Sequence, residues 1–195
     1  MKIQILGSPR SGTTCLYQAL RDNINYSTGI FEPLSPGCNY RINNPKEVKS
    51  HISIINNYKG HIIEKNIFDI DECNLKTGQF FKNYLKNFNK IIFLVRKNQN
   101  QQCQSLQISS ITRNWHKPYK NIEVDYKELL PLIESKNKLI LELSNELKSK
   151  IFFYEDLYSN NINYLDKLLN YCNIELDNKY HFYDMMNTKN RLKQL

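Results

Sequence analysis

Apolar positions in this chain follow two patterns that alternate from one end to the other. Short, nearly unbroken runs occur at Lys2–Leu6, Lys90–Val95 and Lys150–Tyr154, and His61–Ile67 is a further run interrupted by Glu64 and Lys65. Their brevity and their β-branched and aromatic content predict strands buried on both faces. Ser27–Phe31 is a weaker candidate for a further short strand. Elsewhere apolar residues recur every three or four positions. Cys15, Leu16, Ala19 and Leu20 do so in Thr13–Leu20, and Val48, Ile52 and Ile55 in Asn44–Asn57, which has Pro45 in its first turn. The same period puts Phe80, Phe81, Tyr84, Leu85 and Phe88 on one face of Thr77–Phe88, and Leu129, Ile133, Ile140, Leu143 and Leu147 along Asp125–Lys150. Each stretch predicts a helix with an apolar stripe facing a core. Asn98–Ser109, largely polar, and Asn160–Tyr171 complete the predicted helices, and the tail Asn187–Leu195 reads as short and basic. Strands alternating with helices predict an α/β fold of three layers (α/β/α) around a mainly parallel central sheet. With neither a repeat nor a linker in 195 residues, a single domain over 1–195 is expected.

The first strand-to-helix junction carries the most chemistry. Lys2–Leu6 gives way to Gly7-Ser8-Pro9-Arg10-Ser11-Gly12 and then to the helical Thr13-Thr14. Two glycines let the backbone approach a bound group closely. The helix N-terminus adds unpaired N–H groups and the positive end of its dipole. Together these make an anion site. Gly7, Gly12 and Thr14 have the spacing of the phosphate loop G-x-x-x-x-G-K-[ST]. Thr13, however, stands where that pattern has its lysine, and the loop's one cation is Arg10. A plain turn with capping hydroxyls is the bland alternative.

Taken whole, GSPRSGTT closely resembles the 5′-phosphosulfate loop of sulfotransferases, which use 3′-phosphoadenosine 5′-phosphosulfate (PAPS). The resemblance implies that family's P-loop-like fold, PAPS as cofactor and adenosine 3′,5′-bisphosphate (PAP) as product. It implies binding through Ser8, Pro9, Arg10, Ser11, Gly12, Thr13 and Thr14, with Arg10 at the family's Lys/Arg position. Arg96, at the end of Lys90–Val95, and Ser105 resemble the family's 3′-phosphate pair. Their separation of nine residues is one longer than in the common cytosolic enzymes, and the proline between them is missing. RKNQNQQCQS is closer to the R-R-x-D-x-x-x-Q-A-x-S pattern of the bacterial glycolipid-type group, which includes trehalose 2-sulfotransferases. It keeps Arg96, Gln102 and Ser105 and loses the acid, and Thr112, Trp115 and His116 extend the likeness to that group's T-x-x-W segment. Phe31-Glu32-Pro33-Leu34 resembles the segment of carbohydrate sulfotransferases in which an acidic residue faces the acceptor. Lys65 resembles a lysine that many of these enzymes place near the end of a core strand. Tyr154-Glu155-Asp156-Leu157 resembles a segment common after another strand, expected here to cap the helix Asn160–Tyr171.

These likenesses imply transfer of a sulfuryl group to a hydroxyl or amine acceptor, a small molecule or glycan, with carbohydrates and glycolipids foremost. By analogy with phosphoryl transfer, positioning and electrostatics carry the reaction. Arg10 and the N–H groups of Ser11–Thr14 would stabilise the charge growing on the leaving group. Arg96 and Ser105 would read the 3′-phosphate. Glu32 would be the general base, with His61 and His116 as substitutes. The sulfuryl group carries less charge than a phosphoryl group, so no metal is expected. Ordinary readings stay open beside these: a solvated or capping carboxylate for Glu32, a strand-edge charge for Lys65, a core anchor or a sugar- or adenine-stacking ring for Trp115, and a surface residue for His116.

Composition adjusts this picture little. Hydrophobic residues are 41% of the chain and aromatics 12%, enough for a packed core. The net charge of +8 favours anionic partners, but no basic repeat or motif points to specific nucleic-acid binding. Five cysteines without metal-ligand spacing fit free thiols in a reducing compartment. No signal peptide or membrane anchor is expected, because the sequence enters its first strand at once; a cytoplasmic location follows. A nucleotide or nucleoside kinase remains an alternative that Thr13 opposes. A third is an inactive relative that binds nucleotide or nucleic acid.

Overall fold

A computed structural model of the chain describes residues 1–34, 45–68, 79–113 and 122–194. Its frame is a five-stranded sheet of β1 (Lys2–Gly7), β2 (Ser27–Phe31), β3 (His61–Ile67), β4 (Lys90–Val95) and β5 (Lys150–Phe153), in the order β2-β3-β1-β4-β5. Every pairing is parallel; Ile5, for example, lies between Lys65 of β3 and Ile92 of β4. All five strands lie where the sequence predicts them, β2 at its weaker candidate. Parallel pairing requires crossovers, and the helices supply them. They are α1 (Thr13–Asn23), α2 (Pro45–Asn57), α3 (Gln79–Leu85), α4 (Gln99–Thr112), α5 (Leu129–Glu146), the single turn α6 (Tyr154–Leu157), α7 (Ile162–Cys172) and α8 (Lys179–Gln194).

The sheet separates two cores. On one face Ile3, Ile5, Ile63, Ile92 and Leu94 pack against Leu16 and Leu20 of α1, Leu165, Leu168 and Leu169 of α7, and Phe182 and Met186 of α8. On the other, Leu6, Ile62, Phe93 and Val95 meet Val48 and Ile55 of α2, Tyr84 and Leu85 of α3, and Ile140 and Leu143 of α5. Each fully buried aliphatic side chain contributes about 1.5–3 kcal/mol, so the sheet is a rigid base for its loops. Among the described residues, no helix is long and apolar enough to cross a membrane.

Three local readings change. Tyr154 ends no strand; it begins α6. The cap of α7 is Asn161, whose side chain accepts from the Asn163 N–H at 3.1 Å, so Glu155 and Asp156 are left for another task. Residues 187–194, read from the sequence as a short basic tail, continue the long α8. Trp115, His116, Cys38 and Cys73 lie outside the described residues.

Cys172 is completely buried in the first core. Burial pushes its thiol from 9.0 up to about 12, against the pull of Lys90. The unfolded chain would release this proton from about pH 9, whereas the folded chain holds it, so rising pH favours unfolding across that window. Cys172→Ala should therefore flatten the alkaline fall in stability by about one proton between pH 9 and 12. Urea denaturation at several pH values reads this slope; an unchanged slope would show that Cys172 titrates normally.

Candidate active site

The residues singled out in the sequence cluster at the carboxyl ends of the strands. Ser8–Gly12 follows β1, Glu32 follows β2, Lys65 is near the end of β3 and Arg96 follows β4. From β1 the sheet extends to β3 and β2 on one side and to β4 and β5 on the other. Such a switch point opens the crevice in which parallel α/β sheets bind ligands.

Side chains from outside the loop fix its shape. The Ser8 hydroxyl is buried, donates to Asn137 Oδ1 of α5 at 2.7 Å and accepts from Gln102 Nε2 of α4 at 2.7 Å. Gln102 Nε2 also donates to the Pro9 carbonyl at 2.6 Å. Ser11 N–H donates back to Ser8 O at 3.2 Å, closing the turn. Arg10 has φ 63° and Gly12, the N-cap of α1, has φ 90°. Gly12 is also crowded: a β-carbon there would lie 2.5 Å from Cδ2 of Tyr154. Tyr158 completes the wall by donating to the Gly12 carbonyl at 2.9 Å. Ser8, Pro9 and Ser11 thus shape the loop from within. The first turn of α1, at Thr13 and Thr14, retains the N–H groups that no helix can satisfy internally.

Three cationic side chains surround this turn. Arg10 Nε donates to Ser105 Oγ at 2.9 Å. Ser105 lies two turns into α4, and the long Arg10 side chain reaches it from the loop. Arg96 is buried with its guanidinium 4.0 Å from the ring centre of Tyr154, the ring that faces Gly12. Lys65 is 1% exposed; its ammonium donates to Thr14 Oγ1 at 2.9 Å, forms an ion pair with Glu32, and lies 4.4 Å from the centre of the Phe31 ring. Burial holds the Lys65 pKa below the ordinary lysine value, and the Glu32 carboxylate opposes that shift. Glu32 has φ 49° and reaches Lys65 with its backbone as well, donating N–H to Lys65 O at 2.7 Å.

Several of these groups carry more than their places in the sequence suggest. Lys65, read there as strand-end lysine or edge charge, joins the phosphate-loop helix to the acidic residue. Gln102 is a loop support, and Asn137 went unread. Glu155 accepts from Lys97 N–H at 2.9 Å and Asn98 N–H at 3.1 Å, and Asp156 pairs with Lys97 at 2.6 Å, so this segment secures the turn directly after Arg96. His61 is at the opposite, amino edge of the sheet beside the chain's N-terminal ammonium, at 3.1 Å, which removes it from the choice of base.

An anionic group fits this donor set. Arg96 Nε is buried without a hydrogen-bond partner among the described residues, and a buried guanidinium donor calls for an acceptor. Two solved structures share the architecture. The mouse sulfotransferase SULT7A1 complexed with PAP superposes with a TM-score of 0.61 at 14% identity, over 96% of this chain and 63% of that one. The sulfotransferase domain from the curacin biosynthetic pathway gives 0.54 at 16% identity, over 92% of this chain and 75% of that one. The fold is that of sulfotransferases. No family model matches the sequence, and no curated protein does. The chain spans 63% of the length of the mouse enzyme.

Gly12→Ala tests the loop. A side chain in this left-handed conformation costs about 1–3 kcal/mol, and the β-carbon must displace Tyr154. Denaturant unfolding should show at least that loss. A variant as stable as the parent would mean that the loop is not held against Tyr154.

Proposed function

We propose that the chain is a PAPS-dependent sulfotransferase acting in the cytoplasm on a hydroxyl or amine, with a carbohydrate or glycolipid as the acceptor class. One observation carries the reading: in a sulfotransferase fold, the first turn of α1 is flanked by Arg10, Lys65 and Arg96, and Lys65 leads directly to a carboxylate. PAPS supplies the sulfuryl group and leaves as PAP. Arg10 and the N–H groups at Thr13 and Thr14 hold the 5′ side and stabilise charge that grows on the leaving oxygen. Arg96, stacked on Tyr154, takes the 3′-phosphate as a charge-assisted donor. Ser105 joins Arg96 at the 3′-phosphate, and its bond to Arg10 links that end to the loop. Glu32 accepts the acceptor's proton, and Lys65 aims its carboxylate. The bacterial glycolipid-type likeness of Arg96, Gln102 and Ser105 supports the acceptor class.

A thermal-shift comparison of PAP, AMP and ATP with Mg²⁺ tests the nucleotide. PAP should stabilise most, and Arg96→Ala should narrow its advantage over AMP by about ten- to a hundredfold in affinity. Greater stabilisation by ATP with Mg²⁺ would favour the kinase alternative instead.

Radiolabelled PAPS with a panel of glycans, glycolipids and phenols tests the transfer. Arg10→Ala should lower kcat even at saturating PAPS, because its contact strengthens in the transition state. Glu32→Gln should lose about 10²–10⁴ in rate while PAP affinity changes little. Full turnover by Glu32→Gln would assign the base to another group.

A further inference from the structure

β3 carries three consecutive buried polar residues, Glu64, Lys65 and Asn66. Successive side chains in a strand point to opposite faces, so Lys65 reaches Thr14 and Glu32 on one face while Glu64 and Asn66 project on the other. The Glu64 carboxylate is fully satisfied there. Oε2 meets His51 Nε2 of α2 at 2.8 Å, and Oε1 accepts from the Tyr84 hydroxyl of α3 and from Asn66 Nδ2 at 2.7 Å. With its N–H group committed to Glu64, the Asn66 amide turns its oxygen outward and accepts from Leu34 N–H at 3.1 Å. The short segment from Glu32 to Leu34 is thus tied to β3 at three points: the Glu32 N–H on Lys65 O, the Glu32 carboxylate on Lys65 Nζ, and the Leu34 N–H on Asn66.

We infer that Asn66 is a positioning residue for Glu32. Anchored by the buried carboxylate of Glu64, it holds the backbone two residues beyond Glu32 and keeps the Glu32 carboxylate on Lys65. Glu32 needs such a hold, because its left-handed φ of 49° is unfavourable for a residue with a side chain. His51 and Tyr84 act one step further back, by fixing the carboxylate that orients the Asn66 amide. The catalytic consequence rests on the reading of Glu32 as the base; the hold itself can be tested without turnover.

The readout is the Lys65 ammonium, followed by NMR titration in protein labelled with ¹³C,¹⁵N-lysine and assigned with Lys65→Arg. Burial already lowers this pKa and Glu32 opposes the shift, so loosening Glu32 must lower it further. Asn66→Ala is expected to move the Lys65 titration down by about one to three pH units, the range for losing a close opposite charge, and comparably to Glu32→Gln. The circular dichroism spectrum and PAP affinity should stay as in the parent. A folded Asn66→Ala protein with an unchanged Lys65 titration overturns the inference. Hydrogen exchange in the unmodified protein decides the matter if that variant does not fold. The Leu34 amide should exchange slowly, and exchange at the rate of an exposed loop amide overturns the inference equally. Failure of the unmodified protein to bind PAP would sink the functional reading alone, leaving the Lys65 titration to judge the hold.

Discussion

The structure is constrained above all by a central strand that buries an acid, a base and an amide in succession. Glu64, Lys65 and Asn66 lie in the interior of a parallel sheet, where an unpaired charge costs several kcal/mol. Each must therefore find its partner on a flanking element. Lys65 draws in Thr14 of α1 and Glu32 after β2, Glu64 draws in His51 of α2 and Tyr84 of α3, and Asn66 draws in Leu34. Apolar packing alone would tolerate small shifts of these helices along the sheet. Directional hydrogen bonds to one strand do not, so β3 fixes the relative positions of the phosphate loop and the acidic turn. The arrangement buries charge in order to specify geometry, and the geometry it specifies is that of the cleft.

A second constraint acts on the other side of β1. The loop has two residues in the left-handed region, Arg10 and Gly12, and such a backbone persists only where its surroundings enforce it. Gln102 and Asn137 hold the Ser8–Pro9 side, while Tyr154 and Tyr158 close on Gly12. Tyr154 also carries Arg96 on its face, and its neighbours Glu155 and Asp156 fix the turn after Arg96. The short turn after β5 therefore links the loop after β1 to the loop after β4. Its sequence, YEDL, was expected to cap the helix that follows it; the backbone N–H groups it serves are instead those of Lys97 and Asn98, in the turn that leads into α4.

Much of this was legible in the sequence. The strands β1, β4 and β5 were readable as short, largely apolar runs. β3 was readable by Ile62 and Ile63 despite the buried polar residues that follow them, whereas the half-exposed β2 was the weaker candidate. The anion loop was readable because its glycines and hydroxyls are contiguous. The partners of Lys65 were not, since Thr14 and Glu32 precede it by dozens of residues and only sheet order brings them together. Asn137 was illegible for the same reason. The helix α8 was missed because its apolar residues, among them the buried Phe182, Tyr183 and Met186, are outnumbered by polar ones of modest helix propensity. Ser105 is instructive in a different way. Its position along α4 was read correctly, but contact with the loop depended on the reach of Arg10, which no spacing rule contains.

The two ends of the proposed transfer make opposite electrostatic demands. Negative charge accumulates at the loop, so cations and N–H dipoles belong there, whereas the acceptor end needs a carboxylate able to take a proton. A cleft that meets both demands places an acid close to a cluster of bases, and direct pairing between them would collapse it. Lys65 resolves this conflict through its position. Rooted in β3 and almost wholly buried, it cannot swing toward either end, and it contacts both: the Thr14 hydroxyl on the loop side and Glu32 on the other. The carboxylate is thereby held by a cation that the sheet itself anchors, leaving Arg10 to Ser105 and Arg96 to Tyr154. The two ends are consequently held in one fixed relation through a single side chain.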